Sequence, residues 1–483
     1  MQVVTGQAHR LEHDDDRVSP SPPPADLPCY IAFAAMNDKR FSKVPAARLS
    51  RLASFGRLAG GVASGVAAEG VRRLARGERP SLSDLILTPS NAMRLTEQLS
   101  RLRGAAMKLG QMISLDAGDL LPPELTAILA RLRDAAHFMP PAQLDRVLRH
   151  EWGQDWRHRF ARFEATPIAA ASIGQVHRAT LPDGRVLAIK VQYPGIAASI
   201  DADVDNVATL LRMSGLLPDT LDIAPLLTEA KRQLHEEADY GREADQMRLY
   251  QRFLADDPAF VMPAPVDALC SDRVLAMDFI SGRPIESLQQ APQAVRDQVM
   301  TALLQLVLRE IFDFQYMQTD PNFGNFRWQE DTGKIVLLDF GAARPVPFET
   351  VQAYRALMHA GLSEDRVALR QALLTVGFIS PQTLDRHAGS LNAMIDILMQ
   401  HLGRPGLFDF SDRSFVADVR RHAEIIATDR AAWHIPPADT LFVQRKVSGT
   451  ALLAIRMQAQ LPLRDMVSDS LNTTPALSER GSG

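Results

Sequence analysis

The chain has 483 residues, of which 46% are apolar and 23% charged, and its formal net charge is -4 at neutral pH. These proportions are typical of globular proteins and exclude wholesale disorder. The small net charge argues against nucleic acid as a general partner. Two cysteines, Cys29 and Cys270, exclude a disulfide framework and favour a reducing compartment. The length predicts two or three domains, or one large two-lobed domain.

The N-terminal residues 1–35 are predicted to form a disordered tail. They combine an acidic run at 14–16 with four prolines between positions 20 and 24, a composition that buries too little apolar surface to offset chain entropy. Neither a secretory signal nor a transit peptide fits this start, because the first needs an apolar run after basic residues and the second avoids acids. The polar residues 472–483 are predicted to form a second tail.

A basic, glycine-rich segment follows the first tail. Residues 39–77 contain nine Lys or Arg and one acid, Glu69, and they include a weakly apolar stretch at 52–68. This stretch has 17 residues and is not predicted to span a membrane. Its glycine spacing suits close helix contact, and its basic flanks suit anionic lipid. We expect a cytoplasmic protein, peripherally attached to the inner face of a bacterial membrane, with a homodimer through this helix. The alternative is a surface helix packed on its own domain.

Downstream, hydrophobic periodicity predicts helices and then a small sheet. Apolar residues recur at three- and four-residue spacing over 82–121, which is followed by two prolines, and a further helix is predicted over 141–150. Strand-like segments at 173–180 and 186–191 flank a Pro-Asp-Gly turn and predict a hairpin.

The later elements alternate between helix and short strand. We predict helices over 200–213 and 223–254, strands at 261–265 and 273–280, and a short hairpin of 326–328 with 334–338 in an otherwise helical remainder. This order predicts an α+β, two-lobed protein-kinase-like fold with an N-terminal helical extension. The domains are a helical extension at 36–150, an N-lobe at 151–282 and a helical C-lobe at 283–471.

Two acidic motifs in the C-lobe are typical of phosphoryl transfer. Asp339 begins Asp-Phe-Gly directly after an apolar strand, where its carboxylate could hold a divalent metal that bridges phosphates. Asp320 precedes Asn325 by five residues, which is the kinase separation of catalytic Asp and metal-binding Asn. The usual His-Arg before that Asp is replaced by Gln318 and Thr319.

Lys190 ends the apolar run Val-Leu-Ala-Ile-Lys and is the candidate that neutralises nucleotide phosphates. An acid on a following helix should hold it, and we choose Glu237 among several acids there, the others being Glu229, Glu236 and Asp239.

The loop before this strand departs from ordinary kinases. Where a glycine-rich loop should cover the phosphates, the sequence has Ala169, Ala170, Ala171 and Ser172. Alanine disfavours positive φ, so this loop is expected to be stiffer and to offer fewer amides to phosphate. We expect phosphoryl transfer to suffer as a result.

Lys108-Leu109-Gly110-Gln111, in the helical extension, completes the set of motifs. Together with the alanine-rich loop, Glu237-Ala238-Asp239, the Asp320 loop and Asp-Phe-Gly, it closely resembles the AarF/ABC1/UbiB family of atypical kinases. The resemblance runs from about residue 52 to at least residue 344, and residues 317–322 are similar to the coenzyme Q biosynthesis subgroup.

This resemblance implies binding of ATP and Mg²⁺ and a role in ubiquinone biosynthesis, by ATPase activity with suppressed protein phosphorylation. It implies partners among anionic membrane lipids and quinone-biosynthesis proteins or precursors. It also implies a lid in which Lys108 and Gln111 cover the site and Lys108 faces Glu237 or Asp239. The implied site residues are Asp320, Lys190 and Glu237 for catalysis, Asn325 and Asp339 for metal, and Ala169, Ala170, Ala171, Ser172, Lys190 and Met277 for nucleotide.

Two other functions remain open at this point. The chain could be a nucleotide-sensing scaffold without useful turnover, or a small-molecule kinase of the aminoglycoside phosphotransferase type. The second shares the C-lobe pattern but would not need an extension carrying Lys108. The twelve histidines show no metal-ligand spacing.

Overall fold

The computed structural model describes residues 138–171, 173–213, 224–320, 322–429 and 436–472. The predicted helix at 82–121, the basic segment at 52–68, Lys108, Gln111 and Ser172 lie outside these ranges. The helices and strands are, in chain order, α1 (Pro141–Trp152), β1 (Arg162–Phe163), β2 (Ala169–Ala170), β3 (Gly174–Thr180), β4 (Val186–Gln192), α2 (Ile200–Met213), α3 (Ala224–Glu237), α4 (Tyr240–Phe253), β5 (Phe260–Val261), β6 (Val274–Asp278), β7 (Arg283–Pro284), α5 (Gln293–Phe312), β8 (Tyr316–Gln318), β9 (Phe326–Gln329), β10 (Lys334–Leu337), β11 (Ala343–Pro345), α6 (Phe348–Leu362), α7 (Arg366–Val376), α8 (Pro381–Leu402), β12 (Phe408–Asp409), α9 (Val416–Thr428), α10 (Ala438–Met457), β13 (Gln460–Leu461) and α11 (Leu463–Asn472).

The first sheet has five strands and carries the predicted hairpin. Its order is β1-β3-β4-β6, with β2 also paired to β3. Strands β3 and β4 pair antiparallel from Gly174 opposite Gln192 to Thr180 opposite Val186. Gly184 has φ +89° in the connecting turn, a backbone conformation that a glycine adopts without strain. The hairpin prediction is therefore confirmed.

Helices α3 and α4 correct one prediction, because the single helix expected over 223–254 is broken. Asp239 between them has extended backbone, and its Oδ1 accepts a hydrogen bond from the Arg242 backbone N at 2.8 Å. A side chain that accepts from the third helical N–H satisfies one of the free donors at a helix start. Asp239 is thus the N-cap of a new helix, and α4 starts at Tyr240 with its own orientation.

The remaining chain is mostly helical around α5, a helix of 20 residues with ten buried positions. Helix α5 packs against α10, α11 and β8. A second sheet has the order β5-β10-β9-β7, in which β5 runs parallel to β10. Strands β8 and β11 form a separate antiparallel pair. The connection from β8 to β9 carries Asp320 and Asn325, and the connection from β10 to β11 carries Asp339.

One hydrophobic core joins the sheet and helical parts. The rings of Tyr250 on α4 and Phe340 lie 4.9 Å apart, and both side chains are almost fully buried. Phe340 therefore anchors the Asp-Phe-Gly segment against α4. Within the described ranges, no helix has both the length and the apolar character that crossing a membrane requires.

Candidate active site

Lys190 on β4 forms a buried ion pair with Glu243 on α4. Its Nζ lies 2.8 Å from Glu243 Oε1 and 2.7 Å from Oε2, and the two residues are 8% and 1% exposed. The prediction that Glu237 holds this lysine is wrong, because Glu237 ends α3 whereas Glu243 lies in the first turns of α4. The helix break at Asp239 turns α4 so that Glu243 faces the strand.

Asp339 is the second carboxylate beside the lysine. Its Oδ2 lies 3.7 Å from Lys190 Nζ, and its side chain is 35% exposed. Burial alone would lower the pKa of Lys190, but the carboxylates of Asp339 and Glu243 hold that pKa well above its ordinary value. Lys190 is therefore a fixed positive charge between one buried acid and one acid that reaches solvent.

Asp320 and Asn325 are brought together in the loop after β8. Asn325 Nδ2 donates to Asp320 Oδ2 at 3.2 Å. The Leu338 backbone N donates to Asn325 O at 3.0 Å, which places Asn325 beside the residue that precedes Asp339. Asp339 Oδ1 in turn accepts from the Gly341 backbone N at 2.9 Å. The three predicted acid and amide side chains therefore lie on adjoining loops.

The alanine-rich loop is a tight hairpin over the start of β3. Ala169 and Ala170 pair with Val176 and Gln175, and the Ala171 backbone N donates to Gly174 O at 2.9 Å. Both strand alanines are exposed. The backbone amide of Ala171 is thus used within the hairpin, in line with a loop that offers few free amides to phosphate.

The other predicted residues have separate positions. Met277 lies on β6, opposite Ala188 of β4, and is 7% exposed. Asp239 is exposed and caps α4, and Glu237 is half-buried at the end of α3. The nucleotide and lid roles of these residues stay predictions.

Sequence reasoning missed a buried polar network beneath the catalytic loop. Glu310 on α5 is fully buried, and its Oε1 accepts from the Tyr250 hydroxyl at 2.8 Å and from the Gln318 backbone N at 3.1 Å. Lys446 on α10 lies 3.5 Å from Glu310 Oε2 and donates to Gln318 Oε1 at 3.4 Å. The network fixes the strand that leads into Asp320. The sequence offered little signal for it, because Glu310 follows another charged residue, Arg309, near the end of α5.

The donor set fits a hard divalent cation bound with phosphates. Mg²⁺ prefers oxygen ligands and is usually held by one or two carboxylates, waters and substrate phosphates rather than by a full protein cage. Asp339 supplies a partly exposed carboxylate. Asn325 donates through its side-chain Nδ2 to Asp320, so its side-chain oxygen Oδ1 is the atom that would bind a cation. Across the described residues, no cluster of three or more His, Cys, Asp or Glu could bind a metal by itself. Asp339 and Asn325 would therefore hold Mg²⁺ together with nucleotide phosphates.

A small antiparallel sheet with a lysine held by a helix glutamate, next to a helical part with an Asp–Asn loop and Asp-Phe-Gly, defines a protein-kinase-like protein. The ABC1 atypical kinase-like domain matches residues 131–373. The chain belongs to this family of atypical kinases, as its motifs predicted, and the α+β kinase-like fold is confirmed.

Curated relatives and a solved structure agree with this assignment. The rat atypical kinase COQ8B, mitochondrial, is 38% identical over 433 residues, which are 89% of this chain and 82% of the relative. The yeast Saccharomyces cerevisiae atypical kinase COQ8, mitochondrial, is 37% identical over 424 residues, 87% of this chain and 84% of the relative. The structure of Mycobacterium tuberculosis Rv3197 in complex with erythromycin has a TM-score of 0.56 and 25% identity, covering 81% of this chain and 97% of that one.

Proposed function

We propose that this chain is a kinase-fold ATPase that binds ATP or ADP with Mg²⁺ and supports ubiquinone biosynthesis, with suppressed protein phosphorylation. The observation that carries the proposal is the Lys190–Glu243 pair 3.7 Å from Asp339, with Asp320 and Asn325 on the adjoining loop. This arrangement supplies a fixed cation for phosphate oxygens, a carboxylate and an amide for metal, and a base.

Each side chain has a distinct task in this proposal. Lys190 binds phosphate oxygens, and Glu243 keeps its ammonium in place inside the protein. Asp320 accepts the proton of the attacking hydroxyl or water while the bond to the terminal phosphorus of ATP forms and ADP leaves. Asp339 and Asn325 would hold Mg²⁺, which would neutralise phosphate charge. Ala169, Ala170, Ala171 and Ser172 cover the phosphates, and Met277 contacts the nucleotide.

Suppressed transfer to proteins is supported by the loop chemistry. The alanine-rich hairpin uses the Ala171 amide internally, so fewer amides can stabilise a transferring phosphoryl group. Glycine at Ala170 is expected to change the preference between ATP and ADP and to permit autophosphorylation. Unchanged affinities and unchanged label incorporation in Ala170→Gly would contradict this part.

The role in ubiquinone biosynthesis is supported by similarity to COQ8-type relatives rather than by a contact in the site. We propose anionic membrane lipids and quinone precursors or biosynthetic proteins as partners, with a peripheral location at the inner membrane face and a homodimer through residues 52–68. Nucleotide turnover measured with and without anionic liposomes, and with a phenolic precursor analogue, tests the lipid part.

The Lys108 segment is proposed to be an intramolecular lid, with Gln111, over the nucleotide site. Its proposed acids are Glu237 and Asp239. Because Asp239 also caps α4, Asp239→Asn is the sharper probe, since asparagine keeps the cap and removes the charge. A double-mutant cycle of Lys108→Ala with Asp239→Asn or Glu237→Gln, read on nucleotide affinity, should show coupling. Coupling near zero with both acids would reject the lid.

The main experiment compares nucleotide-induced thermal shifts with and without Mg²⁺. Asp339→Asn should abolish the Mg²⁺-dependent shift, and Asp331→Asn, in the exposed turn between β9 and β10, is the matched control. Asp320→Asn should keep the shift and lower phosphate release. A wild-type Mg²⁺-dependent shift in Asp339→Asn would overturn the site assignment. Nucleotide binding without phosphate release in the wild type, with or without liposomes, would instead favour the scaffold function.

A further inference from the structure

The backbone after Asp-Phe-Gly is held through three consecutive carbonyl groups. Arg242 Nη1 donates to Gly341 O at 2.6 Å, and Arg242 Nη2 donates to Ala343 O. Between them, Thr319 Oγ1 donates to Ala342 O at 2.9 Å. The segment that follows the proposed metal carboxylate is therefore fixed by side chains from two other parts of the chain.

Arg242 lies in the first turn of α4, directly before Glu243. Glu243 binds Lys190, and it also lies against Gly341, where a Cβ would come within 3.7 Å of its Cδ and Oε2. The same turn of α4 thus contacts both the lysine and the backbone that positions Asp339. A shift of α4 would loosen both at once.

The held segment is short, which limits how it can rearrange. Strand β11 pairs with β8 from Ala343, and α6 begins at Phe348. Arg344, inside this segment, forms ion pairs with Glu236 at 2.9 Å and with Glu229 at 3.4 Å, both on α3. The segment is thereby tied to α3 through Arg344 and to α4 through Arg242. Of these two arginines, only Arg242 donates to the carbonyl oxygen of Gly341, the residue whose backbone N donates to Asp339.

We propose that Arg242 is a positioning residue that couples the placement of α4 to the metal-binding conformation of Asp339. The inference rests on the proposed function, since it concerns the binding of Mg²⁺ with nucleotide. Arg242 touches neither, and it acts through the Gly341 and Ala343 carbonyls. One position of α4 then favours both the Lys190–Glu243 ion pair and the metal-binding conformation of Asp339. Any ligand or partner that moves α4 weakens metal-dependent nucleotide binding.

The test measures the equilibrium affinity for ADP with saturating Mg²⁺ and with EDTA. Arg242→Met keeps much of the side-chain volume but removes all donors, and Arg242→Lys keeps the charge with a single donating group. The control is Arg248→Met on the same helix. The Arg248 side chain is 36% exposed, and its guanidinium pairs with Asp245 and Asp267. The thermal unfolding midpoint is recorded for every variant.

We expect Arg242→Met to lower ADP affinity about tenfold or more in Mg²⁺ and less than twofold in EDTA, with Arg242→Lys in between. Arg248→Met should match the wild type in both. If Arg242→Met does not fold, the Mg²⁺-to-EDTA affinity ratio of Arg242→Lys decides.

A wild-type ratio in the Arg242 variants, with only a lower unfolding midpoint, would overturn the inference and leave Arg242 a purely structural residue. A wild-type protein that binds nucleotide without any dependence on Mg²⁺ would overturn the metal part of the proposed function itself. The two failures are therefore distinguishable in one data set.

Discussion

The ammonium of Lys190 lies within 2.8 Å of both carboxylate oxygens of Glu243, and these two residues come from different elements, β4 and α4. This bidentate contact joins the sheet to the helix at the centre of the candidate site. Because both side chains are buried, removing Lys190 would leave the Glu243 carboxylate buried without its ion-pair partner, and removing Glu243 would leave the ammonium with only the more distant Asp339 carboxylate at 3.7 Å.

The first prediction concerns this pair. Glu243→Gln should lower the free energy of unfolding by about 3 kcal/mol, because the buried ammonium loses its bidentate partner and keeps only the Asp339 carboxylate at 3.7 Å. Glu237→Gln leaves the Lys190–Glu243 contact intact and should cost less than about 1 kcal/mol. Urea unfolding midpoints of both variants check this. A larger loss for Glu237→Gln than for Glu243→Gln would contradict the assignment of the lysine's partner.

Gly174, at the start of β3, is predicted to tolerate no side chain. A Cβ there would lie 2.5 Å from Val191 O and 2.8 Å from the Tyr240 hydroxyl oxygen. Since backbone cannot move aside cheaply, Gly174→Ala should destabilise the protein by about 1–3 kcal/mol. At Gly361 on α6, an added Cβ would meet no described atom within 4 Å beyond its chain neighbours and its own helix backbone, so Gly361→Ala should instead stabilise the protein by about 0.5 kcal/mol. Opposite shifts in thermal midpoint are the expected readout, and equal shifts would refute the steric argument.

The protein should become more stable when the hydroxyl of Tyr240 is removed. The residue is 1% exposed, and its hydroxyl oxygen has no hydrogen-bond partner among the residues that the structure describes. A buried, unsatisfied polar group costs about 1–3 kcal/mol, so Tyr240→Phe is expected to raise the free energy of unfolding by about 1 kcal/mol. A calorimetric or denaturant measurement decides. A clear loss of stability would mean that the hydroxyl has a partner in solution.

The lowered pKa of buried His177 should make the protein less stable in mild acid. Burial lowers its pKa from 6.5 to about 4, against a smaller opposing effect of the Glu164 carbonyl that accepts from Nδ1. Between these values the unfolded chain binds more protons, so stability falls as pH drops from about 6.5 to about 4. The contribution is about 3 kcal/mol. His177→Gln should flatten this part of the stability–pH curve, whereas the exposed His158→Gln should not. An unchanged slope in His177→Gln would contradict the account.

The local elements with strong patterns were predictable from the sequence. The β3–β4 hairpin and helix α2 match their predicted ranges closely because alternation and helical periodicity are local properties. The prediction of one helix over 223–254 was wrong because the hydrophobic periodicity continues across the helix break. One N-cap residue, Asp239, determines that break, and Gly241 follows it. Because of this error, Glu237 was predicted as the partner of Lys190, whereas the structure has Glu243 in that place.

Other features depend on contacts that leave no local pattern. Strands β7, β8, β11, β12 and β13 have two or three residues and exist through pairing with distant segments. Arg242 binds backbone carbonyls, which every residue carries, so its partners have no sequence signature. Glu310 stands directly after Arg309 near the end of α5, and nothing in the sequence marks which of the two charges is buried. Residue type predicted the chemistry of the site, but tertiary packing selected which acid and which arginine take part.

The parallel pairing of β5 with β10 has a consequence for cutting the chain. Phe260 and Val261 follow α4, yet they hydrogen-bond to Ile335 and Val336 in the sheet of the helical part. A fragment that stops at residue 282 loses this partner strand and exposes an unpaired edge, which invites aggregation. Neither half should therefore fold well when expressed by itself. Two fragments co-expressed in one cell should instead associate, with the pairing of β5 and β10 re-formed between them.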